Sequence, residues 1–315
     1  MLQWGMPLRI DVLPSGKRRI TVDSDAFVAV KTWETSYPPE LIERILTVKG
    51  ETHVCDEIRR EEDENYVDLA LRAGLLAFVD ENDFRGRRVL DFGCGSGAST
   101  VVLARLFSEA ELVGVDLDRR LLDVARLRAQ HYGLRNVSFI PSPAPDELPA
   151  ELEPFDFVVL SAVFEHLLPH EREMLLPKIW TALVPGGRLF VNQTPHRWYP
   201  IEYHTTGIPC LNYVPAVLAL RLARLSPRIR RGATWSELLR QGIRGGTERQ
   251  IRKLLPGAVS LRPRDRHWVD VWYEMSMTRA PHPLKRTMRK AFRVISAMTR
   301  TSFTPTLLLA FEKRR

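Results

Sequence analysis

The sequence predicts an α/β protein whose core is a doubly wound parallel β-sheet. Between residues 88 and 194, short and nearly continuous apolar runs alternate with segments of helical spacing. Such runs are typical of parallel strands that helices cover on both faces. The first run ends in a glycine-rich turn that leads into a helix. With 44% hydrophobic and 27% charged residues, the chain has the composition of a globular protein with a sizeable core.

The predicted core elements follow one another in a regular order. Each strand is followed by a turn and most of the turns lead into a helix, so the right-handed crossover rule arranges the strands in one sheet. The strands are predicted at 88–93, 111–116, 137–142, 155–161 and 188–194, and the helices at 98–107, at 118–132 and in a stretch that ends at residue 183.

The segments on both sides of this core are predicted to form caps. A hairpin around the turn Pro14-Ser15-Gly16-Lys17 opens the chain. Outside the core, strands are predicted at 8–12, 19–22, 259–262 and 306–312, and helices near 39–48, 62–79 and 247–255. We therefore divide the chain into an N-terminal hairpin and helical cap (1–87), the core (88–194), a substrate-side insertion (195–245) and a segment that completes the sheet and carries a basic helical insertion (246–315).

Charge is distributed unevenly along the chain. Residues 221–315 hold 23 Lys and Arg against 6 Asp and Glu, a net +17, and residues 1–220 hold the other 23 against 32, a net −9. The C-terminal third is therefore a basic face that bears on partners rather than on fold. Three scattered cysteines provide no disulfide or zinc framework, and the longest apolar run, 211–220, is too short to span a bilayer. We expect a reduced, cytoplasmic protein.

The glycine-rich turn between the first strand and helix predicts a cofactor site. Its sequence is Asp91-Phe92-Gly93-Cys94-Gly95-Ser96-Gly97-Ala98. Glycines permit a tight turn and close approach of the backbone to a ligand, and the following helix offers free N–H groups. Asp116 ends the next strand, where a carboxylate can accept both hydroxyls of a ribose. Because Gly93, Gly95 and Ala98 also satisfy a dinucleotide-binding pattern, a nicotinamide cofactor stays open as an alternative.

Three further features favour a methyl donor over a dinucleotide. Asp91 lies two residues before Gly93, where it can bind a cofactor's ammonium group. The block Leu183-Val184-Pro185-Gly186-Gly187-Arg188-Leu189 resembles the turn before the fifth strand of class I methyltransferases. The final run, 305–312, is similar to their antiparallel seventh strand.

With VLDFGCGSG, GVDLD, FDFVVLSAVFEHL and LVPGGRLFVNQTP, residues 88–194 resemble the UbiE/UbiG-like branch of class I S-adenosylmethionine-dependent methyltransferases. The resemblance covers about a third of the chain and extends weakly to the last strand. It implies a Rossmann-like seven-stranded sheet whose last strand is antiparallel, with N-terminal and C-terminal cap insertions. It also implies S-adenosylmethionine as the cofactor, bound by Asp91, Gly93, Gly95, Gly97 and Asp116, with Leu117 beside the adenine.

The sequence departs from this family after the third strand. The family carries an acid there that binds the adenine amino group, whereas this chain has Pro141-Ser142-Pro143-Ala144-Pro145-Asp146. Pro143 has neither a side-chain acceptor nor an N–H. Ser142, the backbone of Ala144 or Asp146 must therefore substitute, and Ser161 at the end of the fourth strand completes the predicted cofactor set.

Histidines near the carboxyl ends of the strands are the candidate bases. His166 follows the fourth strand, titrates near neutrality and has Glu165 as its orienting neighbour. His196 and His204 are alternative bases, and a packing role for His166 is the other interpretation. His166 and His170 are four residues apart, but Pro169 interrupts the helix that would align them, so we expect no metal site.

The segment after the fifth strand predicts the acceptor pocket. Trp198, Tyr199 and Tyr203 are placed to stack on a sugar or aromatic ring, although ordinary core packing is the alternative. Two basic helical stretches, 214–231 and 289–300, suggest contact with an anionic membrane or a phosphate-bearing acceptor; their apolar faces could instead pack on the core.

These observations together predict a methyltransferase that acts on oxygen. The acceptor would be a small molecule, a sugar or a lipid-linked glycan, and the enzyme would lie in the cytoplasm, at the inner face of the membrane if the basic helices bind it. One alternative is an RNA methyltransferase that uses the basic C-terminal face, although no RNA-binding module is recognisable. The other is a nicotinamide-dependent oxidoreductase or a non-catalytic nucleotide-binding scaffold.

Overall fold

A computed structural model of the chain describes residues 8–23, 28, 30–264, 287, 290, 291, 293–295, 298 and 304–314. The core strands and helices lie where the sequence predicts them, within about two residues, except that the fifth core strand begins at Leu183 and so includes the turn predicted before residue 188. Its elements are β4 (Arg88–Phe92), α4 (Ala98–Leu106), β5 (Glu111–Asp116), α5 (Arg119–His131), β6 (Val137–Pro141), β7 (Phe155–Ser161), α6 (Pro169–Ala182) and β8 (Leu183–Pro195).

The N-terminal segment forms a small sheet and three helices. Its elements are β1 (Leu8–Val12), β2 (Arg18–Val22), β3 (Thr32–Thr35), α1 (Pro39–Lys49), α2 (Val54–Glu62) and α3 (Leu69–Leu76). The predicted hairpin is confirmed, since β1 and β2 pair antiparallel. The predicted helix at 62–79 is wrong at its start: a turn of π-helix at Glu64–Asp68 comes first, because Asp63 ends α2 and accepts a hydrogen bond from the Asn65 backbone.

The C-terminal part carries short elements and the last two strands of the sheet. They are β9 (Ile201–Glu202), β10 (Ile208–Pro209), α7 (Ala216–Ala223), α8 (Trp235–Arg240), α9 (Glu248–Lys253), β11 (Ala258–Ser260) and β12 (Thr306–Lys313). The predicted basic helix over 214–231 is therefore wrong in length. Its packing also differs, because Ala219 and Ala223 are buried against other insertion residues while Val217 and Leu218 are exposed. Of the second predicted basic helix, 289–300, residues 289, 292, 296, 297, 299 and 300 lie outside the described residues.

Seven strands form the central sheet in the order β11-β12-β8-β7-β4-β5-β6. Strands β6, β5, β4, β7 and β8 are parallel neighbours, whereas β12 pairs antiparallel with both β8 and β11. This confirms the doubly wound Rossmann-like sheet with an antiparallel last strand. Two apolar clusters cover its faces: Val89, Phe157 and Phe190 point into one, and Leu90 and Val158 into the other.

The strand order brings functional side chains to one edge of the sheet. Because β4, β5, β7 and β8 are parallel, their carboxyl ends meet there, as at the ligand edge of other open α/β sheets. Ser161, the last residue of β7, pairs with Asn192 of β8. Ala162 follows with a φ of 56°, a left-handed conformation that is uncommon for a residue with a side chain. Among the described residues, no helix has the length and apolar character that a membrane span requires.

Candidate functional site

The glycine-rich turn is anchored to the end of the neighbouring strand. Gly93 and Cys94 donate backbone hydrogen bonds of 2.7 and 3.1 Å to the Val115 carbonyl. The Asp116 carboxylate accepts from the Gly95 N–H at 2.8 Å and from the Asp118 N–H at 3.0 Å. The predicted acid therefore lies beside the turn and fixes the backbone of Gly95 through a hydrogen bond.

Two glycines of this turn have different surroundings. Both have left-handed backbones, with φ of 55° at Gly95 and 80° at Gly97. A Cβ on Gly97 would lie 2.5 Å from the Ala125 Cβ, whereas a Cβ on Gly95 would meet nothing within 4 Å. Gly97 is therefore required for packing against α5, and Gly95 faces open space that a ligand can approach.

We expect Gly97→Ala to lower the free energy of unfolding by about 2–4 kcal/mol, because it adds overpacking to a left-handed backbone. Gly95→Ala should cost only about 1–2 kcal/mol, the backbone contribution alone. Urea unfolding of the two variants measures the difference. Equal losses would contradict the packing role of Gly97.

Asp91 is buried at the end of β4, with 1% of its surface exposed. Its Oδ2 accepts hydrogen bonds of 2.7 Å from the hydroxyls of Ser99 and Thr100 in the first turn of α4. Burial, reinforced by the charge of Asp116 and opposed by these hydrogen bonds, raises the pKa of Asp91 from its ordinary value of 3.8 to about 6. Within the described residues Asp91 forms no ion pair with a cationic side chain, as suits a carboxylate that meets a cationic ligand.

Replacing Asp91 by asparagine is expected to stabilise the ligand-free protein at neutral pH. Since the folded state holds the Asp91 proton more tightly than the unfolded state, the free energy of unfolding falls as pH rises from about 4 to 6. A rise in the pKa of Asp91 from 3.8 to about 6 lowers the free energy of unfolding at neutral pH by at most about 3 kcal/mol. Urea unfolding between pH 4 and 8 should show a gain for the variant that grows with pH. A difference that is constant over this range would be the contrary result.

An ion pair from the N-terminal segment reaches the glycine-rich turn, and the sequence analysis missed it. Arg128 of α5 is fully buried and donates to the Ser96 carbonyl at 3.0 Å and to Glu57 Oε1 at 3.1 Å. Although burial by itself favours the neutral acid, Arg128 and Lys49 lower the pKa of Glu57 to about 2. The Ser96 hydroxyl also donates to Glu57. The N-terminal cap, through Glu57 and its ion pair with Arg128, therefore fixes Ser96 of the turn.

A cleft of about 220 Å³ opens beside the turn, at the carboxyl ends of β4, β5 and β7. Four of the predicted cofactor residues line it, namely Gly93, Asp116, Leu117 and Ser142. The remaining predicted cofactor residues, Asp91, Gly95, Gly97, Ala144 and Ser161, belong to the adjoining turns and strand ends. Other lining residues, which the sequence analysis did not select, include Pro145, Ala162, Val163 and Arg240.

The side of the cleft near Ser142, where the adenine is predicted to bind, has fewer free polar groups than the sequence predicts. The Ser142 hydroxyl lies 2.7 Å from the Glu147 carbonyl and 3.2 Å from that of Ala144, so it serves the fold of its own loop. Leu117, by contrast, is 48% exposed and presents an apolar side chain to the cleft.

His166 lies at the cleft with a defined tautomer. Its Nδ1 lies 2.7 Å from the Arg240 carbonyl oxygen, which can only accept, so Nδ1 carries the proton and a neutral ring leaves Nε2 with its lone pair. Nε2 lies 4.0 Å from Oε1 of Glu165, which is fully buried. The predicted neighbouring pair is therefore brought together, and Glu165 faces the reactive nitrogen of His166.

The insertion that follows β8 places two further side chains around His166. The ring of His204 lies 5.5 Å from that of His166, centroid to centroid. Arg240 of α8 forms an ion pair with Glu171 and donates to the His166 carbonyl at 3.3 Å. No local pattern indicated Arg240, because it is 74 residues from His166.

The other predicted side chains of the insertion are not among the residues that line the first cleft. His196 and Trp198 line a second cleft together with Arg249, Arg252 and Arg262. Burial lowers the pKa of His196 to about 4. Trp198 is half-exposed and stacks on Tyr213.

Tyr199 and Tyr203 are positioned as packing residues. Tyr199 is buried and meets Tyr203 edge to face. The Tyr203 hydroxyl donates to the Pro305 carbonyl at 3.2 Å. Of the three aromatic residues predicted to contact the acceptor, Trp198 is the one whose ring is open to solvent.

Comparisons with known proteins agree on the nature of the core. Residues 89–187 match a family model described as a methyltransferase domain. Curated relatives include ribosomal protein L11 methyltransferases of Escherichia coli, 28% identical over 151 residues (43% of this chain, 48% of the relative), and of Photobacterium profundum, 25% identical over 154 residues (44% and 49%). The chain thus spans about half the length of the curated relatives it matches.

Two solved structures to which the chain is similar are described as methyltransferases. A TehB-like S-adenosylmethionine-dependent methyltransferase from Corynebacterium glutamicum is 27% identical, with a TM-score of 0.30, over 34% of this chain and 54% of its own. The apo form of the S-adenosylmethionine-dependent methyltransferase SibL is 17% identical, with a TM-score of 0.46, over 87% of this chain and 62% of its own.

Proposed function

We propose that this chain, whose residues 89–187 form a class I methyltransferase domain, transfers the methyl group of S-adenosylmethionine to a hydroxyl oxygen of its acceptor. One observation carries the proposal: the cleft joins the glycine-rich turn and Asp116 on one side to His166 on the other. A cofactor held by the first group would have its reactive end near the second.

The residues at the turn fit S-adenosylmethionine. The open space in front of Gly95 accommodates close approach of a ligand to the backbone. Asp116 would accept the ribose hydroxyls, and the buried carboxylate of Asp91 would compensate the cationic methionine part of the cofactor. Leu117 would pack against the adenine.

The chemistry requires alignment more than acid–base machinery. The acceptor oxygen attacks the methyl carbon in line with the carbon–sulfur bond, which breaks as the carbon–oxygen bond forms. A hydroxyl acceptor must also lose its proton, and Nε2 of His166 is available to take it. Glu165, buried 4.0 Å away, would stabilise the imidazolium that results.

The acceptor class is inferred from the surroundings of the site. The second cleft combines the exposed ring of Trp198 with three arginines, which suits a small molecule, sugar or lipid-linked glycan that bears phosphate. Exposed Val217 and Leu218 on α7, next to Arg221, support a peripheral contact with an anionic membrane. The curated relatives are named for a ribosomal protein, but the match covers only about half of each relative, so we do not extend that acceptor to this chain.

RNA is the second candidate acceptor, because of the net +17 of residues 221–315. Retention of the chain on immobilised RNA at moderate salt, with loss in an Arg249→Ala/Arg252→Ala variant, would favour it over a small hydroxyl compound.

Asp116→Ala tests the cofactor site. We expect it to weaken S-adenosylmethionine binding by about 1–3 kcal/mol, the scale of a lost charged hydrogen bond. Asp118→Ala is the matched control: that carboxylate caps α5 and is not among the residues that line the cleft, so affinity should change by less than about twofold. Titration calorimetry measures both, and circular dichroism confirms that both variants fold. Unchanged affinity in a folded Asp116 variant would remove this residue from the site.

A further inference from the structure

Three side chains beside the cleft form a set of metal-binding donors. Within the described residues, Glu165, His166 and His204 each offer one ligand atom, and these atoms lie within 4.8 Å of one another. Two imidazole nitrogens and one carboxylate oxygen are a ligand set that proteins use for zinc and for other divalent first-row metals. The sequence pairs His166 with His170 and predicts no metal site there; the third donor in the structure is His204, which follows β9.

The Glu165 carboxylate is a second observation that points to a bound cation. The residue is fully buried, and its Oε2 accepts from the Thr194 hydroxyl at 2.8 Å. Its Oε1 is also buried, and among the described residues it has no hydrogen-bond partner. Arg172, the nearby cation, donates to the Glu165 carbonyl at 3.2 Å and not to this oxygen. An unpaired buried carboxylate oxygen is costly, and a bound cation would offset that cost.

The hydrogen bonds around the cluster orient its donors as metal sites require. His166 uses Nδ1 to donate to the Arg240 carbonyl, and this fixes Nε2 as the coordinating atom. A backbone carbonyl bonded to the second nitrogen of a ligating histidine is a common supporting interaction in metal sites. The hydrogen bond from Thr194 similarly fixes the Glu165 carboxylate with Oε1 towards His166.

From this geometry we infer that Glu165, His166 and His204 bind one divalent transition-metal cation at the edge of the cleft. Metal–ligand distances of about 2.0–2.2 Å place neighbouring donors about 3.3 Å apart, so the distances between donor atoms must shorten by up to about 1.5 Å on binding. His204 is exposed and not held by β-sheet or helix, and it can supply that movement. Its exposure also provides an entry path for the ion.

The inference rests on the proposed function for its chemical meaning. Three protein ligands leave an open position, which an acceptor hydroxyl could occupy on the side of the cleft. Bound there, the hydroxyl would lose its proton more readily, and its oxygen would attack the methyl carbon. His166 would then act as a metal ligand, and the proton would pass to solvent or to a basic group of the acceptor.

The test uses the full chain, freed of metal with EDTA and dialysed. Equilibrium dialysis against Zn²⁺ with elemental analysis should find one ion per chain, and Co²⁺ should produce visible absorption bands of a coordinated ion. Glu165→Gln and His204→Ala should each weaken Zn²⁺ binding about 100-fold or more, beyond the usual effect of a supporting residue. His170→Ala removes a nearby exposed histidine and should bind Zn²⁺ like the unmodified chain.

Failure of the inference can be told apart from failure of the proposed function. Absence of a stoichiometric ion, or unchanged Zn²⁺ affinity in both cluster variants, would overturn the metal site. His204→Ala serves if Glu165→Gln does not fold, because His204 is exposed. S-adenosylmethionine affinity, measured by calorimetry on the same samples, tests the methyltransferase proposal separately. Zn²⁺ binding without S-adenosylmethionine binding would contradict the proposed function alone, and S-adenosylmethionine binding without Zn²⁺ binding would contradict the metal site alone.

Discussion

Substituting His166 by alanine is expected to lower methyl transfer about 100-fold or more, the usual scale for loss of a group that handles the acceptor's proton. S-adenosylmethionine affinity should stay within about twofold, since the predicted cofactor contacts lie on the glycine-rich turn and at Asp116. The effect is expected whether His166 accepts the proton itself or holds a cation that activates the hydroxyl. Initial rates with methyl-labelled S-adenosylmethionine and a panel of hydroxyl acceptors provide the measurement.

Two other histidines act as controls for this experiment. His196→Ala should leave kcat unchanged and alter only the KM for the acceptor, because His196 lines the second cleft and not the cleft that contains His166. His204→Ala should retain it if His166 acts alone and lose it if the two share a cation. Full activity in the His166 and His204 variants would show that the acceptor needs no such group, which would favour an amine or a carbanion and contradict the proposal of O-methylation.

Arg128→Met should lower the free energy of unfolding by about 3–5 kcal/mol, the cost of breaking a buried ion pair. The substitution leaves Glu57 buried with Lys49, 3.5 Å away and partly exposed, as its remaining ion-pair partner. It also removes the hydrogen bond to the Ser96 carbonyl, so S-adenosylmethionine binding should weaken together with stability. Urea unfolding and calorimetry measure the two effects.

Two variants separate the buried charge from general damage. Glu57→Gln/Arg128→Met removes both charges and should recover part of the stability that Arg128→Met loses. Arg126→Met breaks an exposed pair with Asp123 and should cost no more than about 1 kcal/mol. A loss in Arg128→Met as small as that in Arg126→Met would contradict a structural role for the buried pair.

The sequence predicted the central sheet well because its strands are covered on both faces. A run such as Phe155–Ser161 is nearly all apolar, and this pattern is local. The short strand β3 and the helix α2 were missed. These two elements pack against each other. The buried face of α2 includes Glu57 and Glu61, so it shows no apolar stripe in the sequence.

Long-range polar contacts limited the prediction of the site. Arg128 lies on the same helix as exposed Arg126, and its contacts with Glu57, 71 residues away, and with Ser96, 32 residues away, distinguish the two. The helix α7 was misjudged for a related reason. Large apolar residues such as Val217 and Leu218 suggested a buried face, but they are exposed. The buried face is the one that carries the small side chains of Ala219 and Ala223, which allow close packing.

Titration calorimetry of the purified chain with S-adenosylmethionine and, separately, with NAD tests the central claim most directly. We expect one molecule of S-adenosylmethionine to bind per chain, with affinity reduced in Asp116→Ala, and no binding of NAD. Binding of NAD without S-adenosylmethionine would support the dinucleotide alternative that Gly93, Gly95 and Ala98 leave open. That result, or binding of neither ligand by the folded chain, would contradict the assignment of a methyltransferase.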